Sequence, residues 1–469
     1  MTRQALKFRM PKREKMRKTK DILEGVLAEI ENNLKDGINA DALAEEFSLS
    51  AIHLMRLFKQ TYKKPIGTYI RSRKLSSSIG DLLYSGLNVL DIALEYGFSY
   101  EQAYIISFRR EFGFTPGDLR RNRHLVKTTP SLQPFVKKPI YKNDFLVGNI
   151  INEKYMDGAY FDMIKNNFNV ITPQNNLKPA SLTTNRGGAY NWSYADQIVN
   201  KSMENGIPIH GHVLVWHNWT PEWMTKGTKS EVEDNLKNYI TDVLAHYHGS
   251  IHSWDVVNEA MREGLSADET SGDWRKCLRN DSPWYRALGE DYIETAFRTA
   301  READPDITLY YNDYHLENPH KAEAVRKMID DINNRYKKET GQERNLIEGL
   351  GIQSHYQIKS FDENKVRSSL EKLTALNIEL SISELDVTAA CYGAGEGNDI
   401  VMSEYDAALQ ARIYARLFGL YREYAACISR VTMWGVDDHN SWLSEGTPCL
   451  FDRYLNPKKA FNAVFNPEK

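Results

Sequence analysis

The chain has 469 residues, which is too many for one ordinary domain and suits two or three. Its residues are 41% hydrophobic and 26% charged, as in an ordinary globular protein. Because no apolar run approaches the ~20 residues that a membrane-spanning helix needs, the sequence predicts no membrane partner.

Charge is divided unevenly along the chain. Residues 1–127 contain 23 Lys and Arg against 15 Asp and Glu, a net charge of +8, whereas the rest of the chain carries −11. This asymmetry predicts a basic module joined to an acidic one. A basic module can bind nucleic acid, although most surface charge serves only to keep a protein in solution.

The cysteines and the N-terminus bear on the compartment. The four cysteines (Cys277, Cys391, Cys427 and Cys449) have no CxxC spacing. The basic first 20 residues are not followed by the apolar segment of a secretory signal. Both features predict a reduced, cytoplasmic protein without a structural metal.

Residues 20–126 follow a basic tail, residues 1–19, and their pattern predicts an all-helical module. Residues 39–62 predict a short helix, a turn at Ser48 and a second helix capped by Ser50.

The same plan recurs in residues 89–121, with Gly97 in the turn and Ser99 as the next cap. A helix from Ile66 to Tyr84 joins the two units. Two helix-turn-helix units at this spacing can present recognition helices to successive major grooves.

This module resembles the DNA-binding domain of AraC-family transcription regulators, and FRREFGFTPGDLRR (residues 108–121) is its most specific motif. The resemblance implies DNA as a partner. Arg and Lys would hold phosphates and shorter polar side chains would read base edges. The implied DNA contacts are His53, Arg56 and Lys59 in the first recognition helix and Glu101, Gln102 and Arg109 in the second.

Three residues depart from the AraC pattern. Met55 stands where a small polar residue is common, and Ile105 and Ile106 stand on a face that should be exposed. Exposed isoleucines favour packing against another surface. The alternative to DNA binding is therefore a module kept for docking or for a homodimer.

Residues 127–139 contain three prolines and predict a linker. Residues 140–469 then alternate short apolar runs with longer amphipathic stretches, as repeated βα units do. Eight strands followed by helices predict a (β/α)8 barrel, so the fold class is α/β with an all-α module in front. The predicted strands are FLVGNI from Phe145, FNVITP from Phe168, IPIHGHVLVW from Ile207, IHSWDVV from Ile251, ITLYYND from Ile307, IEGLGIQSH from Ile347, IELSISELDV from Ile378 and ISRVTMWGV from Ile428.

Two glutamates end apolar strands of this barrel, Glu259 in WDVVNEA and Glu384 in SISELDV. Catalytic groups of such barrels lie at the C-terminal ends of the strands. Two carboxylates about 5–5.5 Å apart can cleave a glycosidic bond with retention, one as nucleophile and one as acid and base. The alternative is that both are structural and pair with Arg or Lys at the barrel rim.

The segment from Lys138 to Val464 resembles glycoside hydrolase family 10, the xylanases. The motifs that carry the resemblance are GHVLVWH, WDVVNEA, LYYNDY, GLGIQSH, SELDV, VTMWGV and DSPWYRALGEDYIETAFRTAREADP (residues 281–305). The resemblance implies a retaining endo-1,4-β-xylanase that needs no metal or cofactor. It makes Glu259 the acid/base and Glu384 the nucleophile, supported by His355, Asp386 and Asn258.

The resemblance also implies a set of sugar-binding residues. They are Asn175, Lys178, His212, Trp216, Asn312, Gln353, Trp434 and Trp442. Gln174 and Trp219 depart from the family pattern, in which Glu and Gln are frequent, and both positions would contact sugar away from the bond being broken. They therefore bear on substrate length rather than on the chemical step.

The leading hypothesis is a cytoplasmic xylanase that acts on imported xylo-oligosaccharides and carries a DNA-binding module. A second hypothesis is a transcription regulator that uses the barrel as its sugar sensor. A third keeps the enzyme and makes the front module a dimerisation arm.

Overall fold

The structure, a computed structural model, describes residues 22–121, 145–389 and 402–465, apart from residues 24, 63, 85, 86 and 157. The predicted tail (1–19), the predicted linker (127–139) and Cys391 lie outside the described residues.

The front module is helical throughout its described elements, as its sequence predicts. Left-handed backbone at Ser48 (φ 52°) and Gly97 (φ 73°) makes the two predicted turns. The connecting helix has the predicted bounds. The helices are α1 (residues 25–32), α2 (Ala40–Glu46), α3 (Ala51–Tyr62), α4 (Ile66–Tyr84), α5 (Val89–Glu95), α6 (Glu101–Phe112) and α7 (Pro116–Arg121).

Of the two predicted caps, one is confirmed and one is wrong. The Ser50 hydroxyl accepts a hydrogen bond from His53 N (3.3 Å) at the start of α3. The residue at the N-cap of α6 is Tyr100, without a side-chain cap bond. Because α6 begins one residue later than predicted, Ser99 lies outside the capping position.

Helices α3 and α6 bury one face each in a common core. Leu54 and Phe58 of α3 and Tyr104 and Phe108 of α6 are all fully buried in one cluster. The spacing of four residues places each pair on one side of its helix. The opposite sides of α3 and α6 consequently face outward.

The described residues from 145 onward form the predicted barrel, and all eight predicted strands are present. Its strands are β1 (Leu146–Ile151), β2 (Val170–Pro173), β3 (His210–Trp216), β4 (Ser253–Asn258), β5 (Thr308–Asp313), β6 (Gly349–Ile352), β7 (His355–Gln357), β8 (Glu379–Thr388) and β9 (Ile428–Met433). Neighbours pair in parallel in the order β2-β1-β9-β8-β6-β5-β4-β3, and a bridge between Ile171 and Ile209 closes the circle. The sixth predicted strand is split, because Ser354 (φ 66°) turns the chain between β6 and β7.

Helices surround this sheet on the outside. They are α8 (Gly158–Asn167), α9 (Pro179–Leu182), α10 (Ser193–Glu204), α11 (Lys229–His246), α12 (Ala267–Ser271), α13 (Pro283–Leu288), α14 (Tyr292–Ala303), α15 (Pro319–Thr340), α16 (Glu363–Thr374), α17 (Glu404–Glu423) and α18 (Lys459–Phe465). Short 3-10 turns lie at Glu153–Tyr155, Glu222–Thr225, Trp274–Cys277 and Ser444–Gly446. Within the described residues, no helix combines the length and apolar character that a bilayer crossing requires.

The helical module contacts the barrel. Tyr454, in the loop after β9, packs against the hydrophobic core of the helical module. Asn462 Nδ2 of α18 donates to Asn32 Oδ1 of α1 (2.6 Å). The two modules therefore share an interface close to the C-terminal end of the barrel's last strand.

Glycines inside the barrel make room for large side chains on the neighbouring strand. A methyl group added at Gly211 would lie 2.3 Å from the fully buried ring of Trp254, and one added at Gly349 would lie 2.2 Å from that of Tyr310. Such contacts are far inside van der Waals distance, so these two positions require glycine.

Replacing Gly211 with alanine is therefore expected to lower the free energy of unfolding by about 3 kcal/mol, because overpacking a dense core forces neighbours to move. Gly419→Ala in α17 is the matched control. A methyl group there meets nothing within 4 Å and should stabilise the helix by about 0.5–1 kcal/mol. Urea unfolding measures both, and similar effects at the two sites would contradict the packing argument.

Candidate active site

Both predicted catalytic glutamates lie at the C-terminal edge of the sheet. Glu259 follows β4 directly in left-handed backbone (φ 58°), and its amide donates to Asn312 O at the end of β5 (2.9 Å). Glu384 lies within β8, which continues to Thr388 and pairs with β7. The fold thus brings residues 125 positions apart in sequence to one end of the barrel.

Side-chain amides connect the two carboxylates. Asn312 Nδ2 donates to Glu384 Oε1 (2.8 Å) and to Asn258 Oδ1 (3.0 Å). Gln353 Nε2 donates to Glu259 Oε1 (2.9 Å) and to the same Asn258 oxygen (3.2 Å). With its amide reversed, Asn258 would instead donate to Asn312 O (3.1 Å) and accept from Trp216 Nε1 (3.3 Å). In both orientations Asn312 donates to Glu384 and Gln353 donates to Glu259.

The partners of these carboxylates are not the ion pairs of a barrel rim. Among the described residues, no Arg or Lys forms a salt bridge with Glu259 or Glu384, and the basic side chains within 4.0 Å of them are the histidines His217 and His355. The structural alternative predicted Arg or Lys partners, so the observed contacts disfavour it.

Glu259 is in an environment that favours its protonated form. Burial raises the pKa of Glu259, and the charges of Asp313 and Glu384 raise it further. Hydrogen bonds from Gln353 and from Trp216 Nε1 (2.8 Å) oppose the shift without cancelling it. Burial contributes more to this shift than the charge of Glu384 does.

Glu384 has a cationic neighbour instead. His355 Nε2 lies 3.4 Å from Glu384 Oε2, and His355 Nδ1 lies 2.9 Å from Asp386 Oδ2. Burial lowers the pKa of His355, but Asp386 and Glu384 overcome it and raise that pKa to about 10. The ring is therefore protonated at neutral pH, and it places a positive charge 3.4 Å from the Glu384 carboxylate.

Lys178, at the start of α9, is held between two indoles. Its Nζ lies 4.8 Å from the ring centre of Trp216 and 5.1 Å from that of Trp219, and it donates to Asn175 Oδ1 (2.8 Å). Burial lowers the pKa of Lys178 to about 8, although the charges of Glu384 and Glu259 raise it. Trp219 is half exposed and in left-handed backbone (φ 52°), so its indole adds an aromatic surface at the rim of the site.

His212 and the two remaining predicted tryptophans lie on the barrel's upper face, which is the face at the C-terminal ends of its strands. His212 Nδ1 lies 2.9 Å from Asp255 Oδ2, and its ring contacts that of Trp434 at 5.3 Å. Trp434 is almost fully buried, whereas Trp442 is half exposed and donates from Nε1 to Asp386 Oδ2 (3.0 Å). Of the two, Trp442 presents more surface to a ligand.

Sequence reasoning missed several residues around Glu259. Arg279 Nε donates to the backbone oxygen of Glu259 (3.3 Å), and its NH2 group donates to Tyr314 OH (2.7 Å). His217 Nδ1 lies 4.0 Å from Glu259 Oε2, and burial together with Arg279 lowers the pKa of His217 to about 4. His217 is the last residue of the motif GHVLVWH and Tyr314 is the last residue of LYYNDY, so both could have been predicted from these motifs. Arg279 lies in a loop that has no such motif.

The predicted DNA contacts form a separate surface on the helical module. His53, Arg56 and Lys59 of α3 are exposed, as are Gln102 and Arg109 of α6, while Glu101 is partly covered. Of the three departures from the AraC pattern, Ile106 (53% exposed) and Met55 (42% exposed) lie on the outer face of the module. The third, Ile105, is partly buried.

Metal ligands are absent from the part of the chain that the structure describes: no three His, Cys, Asp or Glu side chains converge there as they would around an ion. The site consists of a buried carboxylate, Glu384, and a largely buried one, Glu259, in different environments at the mouth of a (β/α)8 barrel, surrounded by amides and indoles. That combination defines a glycoside hydrolase.

The sequence model of Glycosyl hydrolase family 10 matches residues 137–467, and the chain belongs to that family. A helix-turn-helix domain model matches residues 43–122.

Two curated relatives illustrate the likeness. A β-1,4-xylanase of Dictyoglomus thermophilum is 36% identical over 332 residues, which are 69% of this chain and 88% of the relative. Endo-1,4-β-xylanase A of Thermotoga maritima is 34% identical over 368 residues, which are 76% of this chain but only 32% of that longer protein.

Solved structures of xylanases are also similar to this chain. An intracellular xylanase from Thermoanaerobacterium saccharolyticum, crystallised as a mutant with xylotriose, matches 69% of this chain and 96% of its own with 31% identity and a TM-score of 0.60. Xylanase XynB from Paenibacillus barcinonensis matches 69% of this chain and 96% of its own with 30% identity and a TM-score of 0.63.

The raised pKa of His355 makes the stability of the protein depend on pH. A folded-state pKa of about 10 against 6.5 means that the contribution is full below pH 6.5 and is lost as the pH rises through 10. His355→Asn should therefore cost on the order of 3 kcal/mol of unfolding free energy at pH 6 and much less at pH 10. Urea unfolding at both pH values measures this, with the partly exposed His246→Asn as control. A cost that stays constant across this range would mean that His355 acts only by packing.

Proposed function

We propose that the barrel is an endo-1,4-β-xylanase that cleaves xylan or xylo-oligosaccharides with retention of configuration. The observation that carries the proposal is the pair Glu259 and Glu384, joined through amides yet placed in opposite electrostatic environments. The xylanase names of the relatives support the choice of substrate.

In the first step, Glu384 attacks the anomeric carbon while Glu259 gives its proton to the leaving glycosidic oxygen. The carbon–oxygen bond of the linkage breaks as the ester bond to Glu384 forms. In the second step, Glu259, now a carboxylate, takes a proton from water, and the resulting hydroxide displaces Glu384 from the sugar. Two inversions at one carbon give net retention.

The charges of the site suit both steps. Burial keeps Glu259 protonated for the first step, and loss of the negative charge on Glu384 in the ester lets Glu259 ionise for the second. His355 stabilises the Glu384 carboxylate when it leaves again. Asp386 orients His355 through Nδ1.

Sugar hydroxyls and rings are bound by the groups around this pair. The residues that we assign to substrate binding are Asn175, Lys178, His212, Trp216, Asn258, Asn312, Gln353, Trp434 and Trp442. Asn312 has the second task of donating to Glu384, which the sequence did not predict. Trp219 extends the indole surface beyond Lys178, and Gln174 is engaged by Asn152 (2.9 Å), so both departures from the family pattern affect the end of the site rather than its catalytic pair.

Glu259→Ala and Glu384→Ala should fail in different ways on an aryl β-xylobioside with a good leaving group. Without Glu384 no glycosyl ester forms, so turnover should fall below detection. Without Glu259 the ester still forms but is hydrolysed about 10²–10⁴ times more slowly. Added azide should then restore turnover and yield a β-glycosyl azide, detected by NMR.

Glu302→Gln, on the outer face of α14, is the control and should behave as wild type. Azide rescue of the Glu384 variant with a β product, or an inverted product from wild type, would refute the assignment of roles.

We further propose that the helical module binds DNA through α3 and α6. The outward side chains His53, Arg56, Lys59, Glu101, Gln102 and Arg109, the net positive charge of the first 127 residues and the match to a helix-turn-helix domain support this. Because DNA binding requires the compartment that holds DNA, we infer a cytoplasmic protein whose substrates are short, imported oligosaccharides.

The rival functions are a sugar-sensing regulator without hydrolysis and an enzyme with a dimerisation arm. The intact catalytic pair favours hydrolysis over pure sensing. The exposed Ile106 and Met55 favour docking or a homodimer, and the exposed cations beside them favour DNA.

Arg56→Ala and Arg109→Ala should each weaken binding of the full-length protein to mixed-sequence duplex DNA. Each loss of a phosphate contact should reduce the slope of log affinity against log salt by about 0.9. Fluorescence anisotropy between 50 and 200 mM salt (about the range in which such binding changes most) measures the slope. Arg326→Ala, on α15 of the barrel, is the control. If wild type shows no binding at the lowest salt, the module is not a DNA-binding one.

A further inference from the structure

The loop after β9, residues 434–458, extends from the sugar site to the helical module, and we call it the bridging loop. Trp434 and Trp442 lie at its start on the barrel's upper face. Tyr454, near its end, packs against the core of the helical module. One segment therefore contacts both the proposed sugar site and the helical module.

At the sugar end, the bridging loop is tied to the catalytic machinery itself. Trp442 Nε1 and His355 Nδ1 share one oxygen of Asp386, at 3.0 and 2.9 Å, and the rings of Trp442 and His355 meet edge to face at 4.9 Å. A sugar that moves the half-exposed Trp442 also changes a contact of Asp386. The loop is thus placed to sense whether the site is occupied.

Inside the bridging loop, the buried carboxylate of Asp438 and the partly buried carboxylate of Asp452 fix its path. Asp438 accepts from Cys449 N (2.8 Å) and pairs with Lys458 Nζ (3.0 Å). Asp452 accepts from Tyr454 N, Asn456 N and Asn456 Nδ2, each at 2.8 Å. A loop cross-linked in this way moves as a unit rather than residue by residue.

At the other end, the loop meets the middle of α4. Arg73 of α4 is fully buried and bonds both oxygens of Glu31 (2.8 and 2.7 Å), to which Tyr69 OH also donates (2.8 Å). Asp452 of the bridging loop is close enough to Arg73 for the two charges to interact. A buried guanidinium with carboxylates from both modules makes this contact sensitive to small displacements.

The helix that receives this contact also sets the geometry of DNA recognition. α4 joins the two helix-turn-helix units and packs against α3 and α6. The separation of two recognition helices decides whether both fit successive major grooves.

Beside the contact, a cavity of about 510 Å³ lies between the modules, with Lys35 and Tyr96 on one side and Glu404 and Lys459 on the other. The interface therefore has room for a second arrangement.

We propose that the bridging loop couples sugar occupancy of the barrel to the position of α4, so that xylo-oligosaccharide binding and DNA binding alter each other. The proposal rests on the proposed function, because it uses the sugar site and the DNA surface assigned there. Linkage requires the effect to be reciprocal, and couplings of this kind typically amount to about 5–150-fold in affinity.

The test uses full-length protein carrying Glu384→Gln, which binds xylohexaose without destroying it, and measures hydrogen exchange of residues 66–84 with and without the sugar. Xylohexaose should change the protection of this helix. The same sugar should shift affinity for duplex DNA at least about fivefold. Tyr454→Ala and Asp452→Asn in the same background should abolish both effects while leaving xylohexaose affinity within about twofold.

Tyr405→Ala, an exposed aromatic on α17, is the control and should retain both effects. Hydrolysis of xylohexaose by the Tyr454→Ala and Asp452→Asn variants with Glu384 intact reports that they fold. Sugar binding with no change in α4 protection would overturn the coupling and leave the proposed function standing. Failure of the wild type to bind or hydrolyse xylohexaose would overturn the proposed function instead.

Discussion

Two carboxylates with opposite protonation states have to lie in one small site, and the upper face of this barrel is organised around that requirement. Glu259 has burial and the negative charges of Asp313 and Glu384 around it, which disfavour its ionised form. Glu384 has the protonated ring of His355 at 3.4 Å, a positive charge beside its carboxylate. Uncharged amides lie between the two carboxylates, and a lysine or arginine in their place would lower the pKa of Glu259.

The need for two carboxylates in different environments also bears on Lys178, which lies near both of them. An ammonium group next to both carboxylates would favour two anions if it were fully charged and close. Burial between the Trp216 and Trp219 rings lowers its pKa to about 8, and its short hydrogen bond is to neutral Asn175. The two indole faces hold the ammonium group in place, where it can donate to sugar hydroxyls.

Sequence reasoning predicted the framework of this site well and its contacts incompletely. Strands and the Glu259 and Glu384 positions follow from local patterns, since apolar runs end in polar residues where barrel strands end. Contacts made across strands leave no such local trace. Asn312 was predicted to bind sugar but also donates to Glu384, and Arg279 reaches Glu259 O from a loop without a motif. Ser99 failed as a cap because α6 begins one residue later than the sequence pattern indicated, so Tyr100 takes the N-cap position.

A barrel that destroys what it binds is an unusual partner for a DNA-binding module, and the kinetics of turnover decide what the module could detect. With turnover on the scale of 1–10³ per second, a single bound chain is cleaved within a second. Occupancy of the site at steady state then depends on the ratio of free sugar to KM rather than on any one binding event. The bridging loop would therefore report the supply of oligosaccharide, and the signal would end when the supply does. A sensor without catalysis would instead remain occupied until its ligand dissociated. Because both glutamates are present, hydrolysis would itself remove the sugar and end the proposed effect on DNA binding.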